Sequence, residues 1–198
     1  MVVNMTDMNQ IAESHEYLTP DIANQAGISK AAFYKYIHEN EMEPVSRGIY
    51  IAKDTWPDEL YILHKRCPQA VFSHDEAFYY HGLSEREPLI HTMTIYSGYN
   101  AHRLKADGTC KIYTVKKDLL NIGKMTVSDS FGNDIPMYDL ERTICDLIRS
   151  RNSIEIQEFN TVLKTYIAGK KKDLNRFMDY AKLFHIDNVI RRYMEVLL

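Results

Sequence analysis

The chain has 198 residues, of which 45% are hydrophobic and 26% are charged, and its formal net charge is −3. This composition is ordinary for a globular protein, and the length allows one large domain or two smaller ones, each with its own core. The sequence contains no apolar run long enough to cross a bilayer. The first residues, MVVNMTDMNQ, lack the basic start and apolar stretch of a secretory signal. We therefore expect no membrane association.

The cysteines predict a reduced protein without a metal centre. There are three of them, Cys67, Cys110 and Cys145, and they are far apart in the sequence. Neither a CxxC pair nor a Cys/His spacing typical of metal ligands is present. We expect free thiols, no metal, no cofactor and a cytoplasmic location.

The distribution of charge bears on any nucleic-acid partner. Residues 1–53 carry four Lys/Arg against seven Asp/Glu, and residues 54–138 carry nine against eleven. Residues 139–198 reverse the balance, with eleven Lys/Arg against nine Asp/Glu. The basic excess lies at the C-terminal end, so DNA binding by the N-terminal segment alone would be modest and salt-sensitive.

The first 40 residues predict three helices, of which the second and third are joined by a tight turn. Residues 6–15 have helical periodicity. Thr19 is a typical N-cap because a proline and an aspartate follow it, and Gly27 is typical of a helix end. Ser29 caps the third helix, which we expect to run to about Asn40. This spacing is typical of a helix-turn-helix.

A small β-ribbon is predicted directly after the third helix. The stretch EPVSRGIYI, residues 43–51, alternates apolar and polar residues around Arg47-Gly48. Three helices followed by a ribbon is the order of a winged helix-turn-helix, with a core of about residues 6–52.

The third helix has one face for the core and a different face for solvent or DNA. Phe33 and Ile37 lie four apart and predict the inward stripe. The outward side chains are small, basic or aromatic, as suits a helix in a major groove, where lysine bonds guanine or phosphate and tyrosine bonds phosphate. The predicted DNA-binding residues are Ser29, Lys30, Ala31, Tyr34, Lys35 and His38, with Arg47 at the ribbon tip. The alternative is a solvated face on a protein-interaction domain.

The segment SHDEAFYYHGLS predicts a further helix, following an amphipathic one at residues 58–66. Ser73 and Glu76 have capping-box spacing, and Gly82 is positioned to end the helix. His74 and His81 are seven apart and would share a helix face. Without a third ligand at a recognisable spacing we predict no metal site.

From His91 to Met137 the pattern changes to short β-strands, HTMTIYS, CKIYTV, KMTVSD and IPMY. Four helices are predicted to follow, the first three capped by Asp139, Ser153 and Asp173. The change near Glu87-Pro88 predicts an α+β protein with two domains, residues 1–88 and 89–198.

No catalytic motif is found, since GxxxxGK[ST], GxGxxG, GxSxG and HExxH are all absent from the sequence. We therefore predict no catalytic residues and no enzyme. The C-terminal helices carry a candidate auxiliary basic face, and both an ordinary solvated surface and a surface for DNA or a partner are open for it. Its members are Arg142, Arg149, Lys170, Lys171, Lys172, Arg191 and Arg192.

These segments together resemble the AbiEi family of antitoxins, from type IV toxin–antitoxin systems of abortive phage infection. The resemblance rests on GISKAAFYKYIHENEM leading into SRGIYI, on SHDEAFYYHGLS, on the β segment and on PMYDLERTICDLIRS. It implies an N-terminal winged helix-turn-helix that binds inverted repeats in its own promoter and represses the operon. It also implies a C-terminal domain that counteracts a nucleotidyltransferase-type toxin without requiring a stable complex.

Two other functions remain open at this point. One is a winged-helix adaptor that binds proteins and not DNA. The other is a cryptic enzyme that reverses the toxin's modification, with its site in the β segment.

Overall fold

The structure is a computed structural model that describes residues 5–101, 104 and 108–197. The chain divides into two compact units, Met1–Arg66 and Cys67–Leu198. Helices and strands are mixed in both units, in agreement with the predicted α+β class. None of the helices in the described ranges combines the length and the apolar character that crossing a membrane requires.

The first unit consists of helices followed by a two-stranded ribbon and one more helix. Strands β1 and β2 pair antiparallel, with an irregularity between Pro44 and Ser46. The elements in chain order are α1 (Met5–Ser14), α2 (Pro20–Gln25), α3 (Lys30–Glu39), β1 (Glu43–Ser46), β2 (Ile49–Ile51) and α4 (Glu59–Arg66).

The turn between α2 and α3 has the capping that the sequence predicts. The Thr19 hydroxyl accepts a hydrogen bond from the backbone N–H of Ile22 at 3.2 Å, which satisfies a free donor at the start of α2. Ser29 does the same for α3, since its hydroxyl accepts from Ala32 N at 3.2 Å. Gly27 has φ +79°, a left-handed conformation that disfavours residues with a Cβ atom.

The buried side chains of α3 and of the ribbon are the apolar ones. Phe33 and Ile37 are buried in a cluster with residues of α1 and α2, as their four-residue spacing predicts. Ile49 and Ile51 are buried in a second cluster, with Tyr17 and Ile62. The ribbon is thus fixed to its own unit through one face of β2, and its turn is left outside.

The second unit is a five-stranded mixed sheet with helices. The strands have the order β5-β4-β3-β7-β6. The elements are β3 (Val71–Phe72), α5 (Asp75–Tyr80), β4 (His91–Tyr96), β5 (Cys110–Val115), β6 (Lys124–Ser128), β7 (Asp134–Tyr138), α6 (Leu140–Arg149), α7 (Ile156–Ala168), α8 (Leu174–Leu183) and α9 (Asp187–Leu197). Helix α6 has buried residues on all its sides, and it contacts α5, α7 and α8.

The domain boundary in the structure differs from the one expected near residue 88. Strand β3 pairs antiparallel with β4 and parallel with β7, so it lies in the middle of the sheet. A boundary at residue 88 would separate this strand from both neighbours. The structural division falls between Arg66 and Cys67 instead. A two-residue strand is too short to show a period-2 pattern, so the sequence did not reveal it.

Two of the predicted caps in this unit are wrong. The N-cap of α5 is His74 and not Ser73, and the His74 side chain makes no capping hydrogen bond. The Ser73 hydroxyl is hydrogen-bonded to Thr94 Oγ1 at 2.8 Å instead. Glu76 is also not part of a capping box, since its carboxylate contacts His91 Nδ1 at 2.5 Å. Ser153 lies in a 3-10 turn, and α7 begins later, with Glu155 at its N-cap. The caps predicted at Asp139 and Asp173 are confirmed.

Candidate functional site

The residues predicted to bind DNA are all exposed in the structure. Six of them lie on α3 or at its N-cap, and the seventh lies in the turn between β1 and β2. They are Ser29, Lys30, Ala31, Tyr34, Lys35, His38 and Arg47. We call this set the α3 face.

Tyr34 is held in place by aromatic neighbours that belong to the same unit. Its ring meets Phe33 edge-on at 5.2 Å between centroids and Tyr50 of β2 at 6.2 Å. Since Tyr50 lies on the ribbon, these contacts place the exposed side of α3 beside it. The side chain of Tyr34 is also hydrogen-bonded to that of Tyr50, and it nevertheless remains 40% exposed, so part of it is accessible to a partner.

The cations of the α3 face differ in how they are paired. Lys35 Nζ lies 3.6 Å from Glu39 Oε1 on the same helix, and both side chains are largely exposed. An exposed pair of this kind contributes little, so a phosphate can replace the carboxylate. Lys30 Nζ lies 5.9 Å from the centre of the Tyr34 ring. Within the described part of the chain, Lys30 and Arg47 form no ion pair.

The predicted auxiliary basic face is wrong at Arg142. Its side chain is fully buried, and its Nε lies 3.0 Å from Asp146 Oδ2. Arg149 pairs with the same carboxylate, at 2.8 Å from Oδ1, and its side chain is 29% exposed. The seven-residue spacing does place both arginines on one side of α6. Asp146 between them pairs with both guanidinium groups, and Arg142 is buried whereas Arg149 stays partly exposed.

The other members of this face have separate environments. Lys170 and Lys171 are exposed in the loop after α7, and Arg191 and Arg192 are exposed on α9. Lys172 is half-buried, and its ammonium donates to Ile167 O and Gly169 O, each at 2.7 Å. These residues therefore do not form the continuous surface with Arg142 that the sequence suggested.

His74 and His81 do not converge on a metal. His81 Nε2 is hydrogen-bonded to the carbonyl oxygen of Tyr138 at 2.8 Å. His74 Nδ1 lies 3.0 Å from Ser73 Oγ, and its Nε2 lies 2.9 Å from Ser150 Oγ. Among the described residues no group of three or more His, Cys, Asp or Glu side chains is arranged to hold a metal ion.

His74 is the central residue of a polar cluster that sequence reasoning missed. Its backbone has φ 51° and ψ −120°, an unusual conformation for a residue with a side chain. Its ring is buried and stacks on Tyr113, with 3.4 Å between centroids and 7° between planes. Burial lowers the pKa of His74 to about 4, so the imidazole is neutral at neutral pH. The sequence offered only its position in a first helical turn, which is typical of capping.

A cavity of about 490 Å³ opens beside this cluster. Its wall contains side chains from β4, β5 and the C-terminal end of α6, together with Arg151 and Ile186. The lining residues are His74, Thr94, Ile112, Tyr113, Thr114, Asp146, Arg149, Ser150, Arg151 and Ile186. Most of these side chains carry a hydroxyl or a charge.

Comparison of the chain with protein-family models and with curated proteins gives no match. The likeness to AbiEi antitoxins therefore rests on the motifs quoted above, and family membership is a proposal.

Proposed function

We propose that the chain is a double-stranded DNA-binding transcriptional regulator whose Met1–Arg66 unit acts as a winged helix-turn-helix. The observation that carries this proposal is the α3 face, in which every predicted DNA-contacting side chain is exposed. Helix α3 is the second helix of a capped turn at Gly27, and it supplies the recognition helix that enters the major groove. The β1–β2 turn forms the wing, with Arg47 at its tip.

The contacts in this proposal divide into base-reading and positioning ones. Lys30 and Lys35 have donors for guanine O6 and N7 or for phosphate, and Tyr34 has a hydroxyl for a phosphate oxygen. Arg47 reaches the neighbouring minor groove or the backbone. Because residues 1–53 carry more acidic than basic side chains, few phosphates are neutralised, and we expect a modest affinity that falls as the salt concentration rises.

We further propose that this regulator is the antitoxin of a type IV toxin–antitoxin system. The support is the resemblance of its motifs to the AbiEi family. In this proposal the chain represses its own operon by binding inverted repeats in the promoter. The Cys67–Leu198 unit counteracts a nucleotidyltransferase-type toxin, and no stable complex between the two proteins is required.

Removing the three cations of the α3 face should abolish specific binding to promoter DNA. The variant is Lys30→Ala, Lys35→Ala, Arg47→Ala in the full chain. Each base-reading contact is expected to contribute about 1–3 kcal/mol, and each phosphate contact about one unit of the slope of log K against log salt. Fluorescence anisotropy with labelled DNA from upstream of the gene, over a range of salt concentrations, measures both.

The matched control removes three exposed lysines of the other unit, Lys116, Lys117 and Lys124. It has the same change in net charge and should retain the affinity and the salt slope. If the α3-face variant binds promoter DNA like the wild type, the assignment of DNA binding to this face is wrong.

The same α3-face variant should still protect cells from the toxin. We expect this because antitoxicity is assigned to the other unit. Both proteins are expressed from unrelated promoters, and colony counts measure survival. Loss of protection by a variant with wild-type stability would instead support the adaptor function, in which the α3 face binds a protein.

A further inference from the structure

The cavity beside His74 has the dimensions and the chemistry of a binding site for a small molecule. Its volume of about 490 Å³ lies in the range of about 300–1,000 Å³ that is usual for ligand pockets. It is built within the Cys67–Leu198 unit from two neighbouring strands and the end of a central helix. The residues proposed to bind DNA do not line this cavity, and none of the helix-capping hydrogen bonds described above involves its lining side chains.

The hydroxyl groups at this cavity are fixed by a continuous chain of hydrogen bonds. Thr94 Oγ1 lies 2.8 Å from Ser73 Oγ, and Ser73 Oγ lies 3.0 Å from His74 Nδ1. On the other side of the ring, His74 Nε2 lies 2.9 Å from Ser150 Oγ. Tyr113 stacks on the same ring, so the imidazole cannot rotate without breaking both bonds. The result is a hydroxyl on Ser150 that is oriented in advance at the cavity wall.

The charge balance of the cavity is positive. Its single carboxylate, Asp146, is already paired through one oxygen with Arg142 and through the other with Arg149. Arg149 uses one nitrogen for this pair, which leaves further N–H donors of its planar guanidinium group. Arg151 also lines the cavity, and one of its nitrogens donates to Ile148 O at 3.0 Å. The cavity lining therefore contains two arginines and a single carboxylate, and both oxygens of that carboxylate already have an arginine partner.

We propose that this cavity binds a small phosphorylated molecule of about the size of a nucleoside monophosphate. Arg149 and Arg151 bind the phosphoryl oxygens, because guanidinium groups match the geometry of phosphate and form charge-assisted hydrogen bonds. With the neutral His74 ring protonated at Nε2, that nitrogen donates to Ser150 Oγ and the Ser150 hydroxyl donates a further hydrogen bond to the phosphoryl group. The C-terminal end of α6 is unfavourable for an anion, and the two guanidinium groups at that end compensate for it.

The backbone of His74 is a second observation in favour of a binding site. A residue other than glycine at φ 51° and ψ −120° is strained, and such strain persists where the surroundings hold the side chain in one position. Strained residues of this kind occur preferentially at ligand sites. Here the strained residue is the one that orients Ser150.

Calorimetric titration of the full chain tests the proposal with defined probes. The probes are inorganic phosphate and the four ribonucleoside 5′-monophosphates, each compared with the unphosphorylated nucleoside. We expect at least one monophosphate to bind at least tenfold more tightly than its nucleoside. Binding of inorganic phosphate alone would identify the phosphate ion as the ligand. Binding by no probe, or equal binding of nucleotide and nucleoside, would overturn the proposal.

Three variants locate the binding. Arg149→Gln should weaken it at least tenfold, and Ser150→Ala, which keeps all charges and removes one half-buried hydroxyl, should weaken it severalfold. The variant Lys30→Ala, Lys35→Ala, Arg47→Ala should bind the nucleotide like the wild type, since its changes lie on the DNA-binding face. Unchanged binding by the folded Ser150→Ala and Arg149→Gln proteins, or loss of binding in the α3-face variant, would show that the ligand binds elsewhere. Failure of DNA binding would leave this result unaffected.

Discussion

Replacing Arg142 with alanine is expected to lower the free energy of unfolding of the Cys67–Leu198 unit by about 3–5 kcal/mol. The guanidinium group is fully buried and pairs with Asp146 at 3.0 Å. It also donates to the carbonyl oxygens of Leu119 and Ile122, at 2.9 and 2.6 Å. Removing it leaves the carbonyl groups of two half-buried residues without this donor and takes one of the two partners from a buried carboxylate.

The space that Arg142 fills adds to this expected loss. Its guanidinium carbon lies 3.9 Å from the centre of the Tyr138 ring and 4.3 Å from that of Phe184. An alanine would leave a cavity between these two rings, and cavities in a core are destabilising in proportion to their volume. The loss therefore combines electrostatic and packing contributions.

Thiol labelling in urea measures the unfolding free energy of the Cys67–Leu198 unit separately from that of the other unit. The cysteines Cys67, Cys110 and Cys145 all belong to the Cys67–Leu198 unit and are buried, so their labelling reports its unfolding. The control is Arg176→Ala, an arginine with a half-exposed side chain that lies 3.9 Å from Glu141, and we expect it to change stability by no more than about 1 kcal/mol. Equal losses for the two variants would contradict a structural role for Arg142.

The sequence was a good guide where structure is determined by neighbouring residues. The caps at Thr19, Ser29 and Asp139 were predicted correctly because a cap depends on a side chain and a backbone N–H three residues later. The left-handed conformation of Gly27 follows from the same local chemistry. Exposure of the α3 face was predictable for a related reason, since the apolar positions Phe33 and Ile37 define which side of the helix is inward.

Features that depend on distant parts of the chain were not predictable. Nothing in the local sequence of α6 shows that Arg142 is buried, because its partners Leu119 and Ile122 precede it by about twenty residues. His74 is a similar case. Its bond to Ser150 joins residues 76 positions apart, so a spacing argument cannot find it. The polar cavity is assembled by the sheet order, which places β3 between β4 and β7.

Lowering the pH from about 6.5 to 4 should destabilise the protein through His74 by about 3 kcal/mol. Burial lowers the pKa of His74 to about 4, from an ordinary value of 6.5. The Asp146 carboxylate opposes this shift, and the cations Lys111, Arg149 and Arg142 add to it. Between these two pH values the unfolded chain binds a proton at this histidine and the folded chain does not. The stabilising contribution is therefore complete above pH 6.5 and is lost as the pH falls toward 4.

Urea unfolding followed by circular dichroism at pH 7 and at pH 4.5 tests this expectation in the wild type and in His74→Gln. The variant loses stability at pH 7, because glutamine cannot reproduce both the bonds to Ser73 and Ser150 and the stacking on Tyr113. Its stability should nevertheless fall less than that of the wild type between the two pH values, by about 2 kcal/mol, because pH 4.5 lies above the folded pKa of about 4 and part of the contribution of the imidazole remains. The control His15→Gln removes an exposed histidine and should keep the pH dependence of the wild type. If His74→Gln retains the full pH dependence, the loss of stability arises from the carboxylates, and His74 is not the group that carries it.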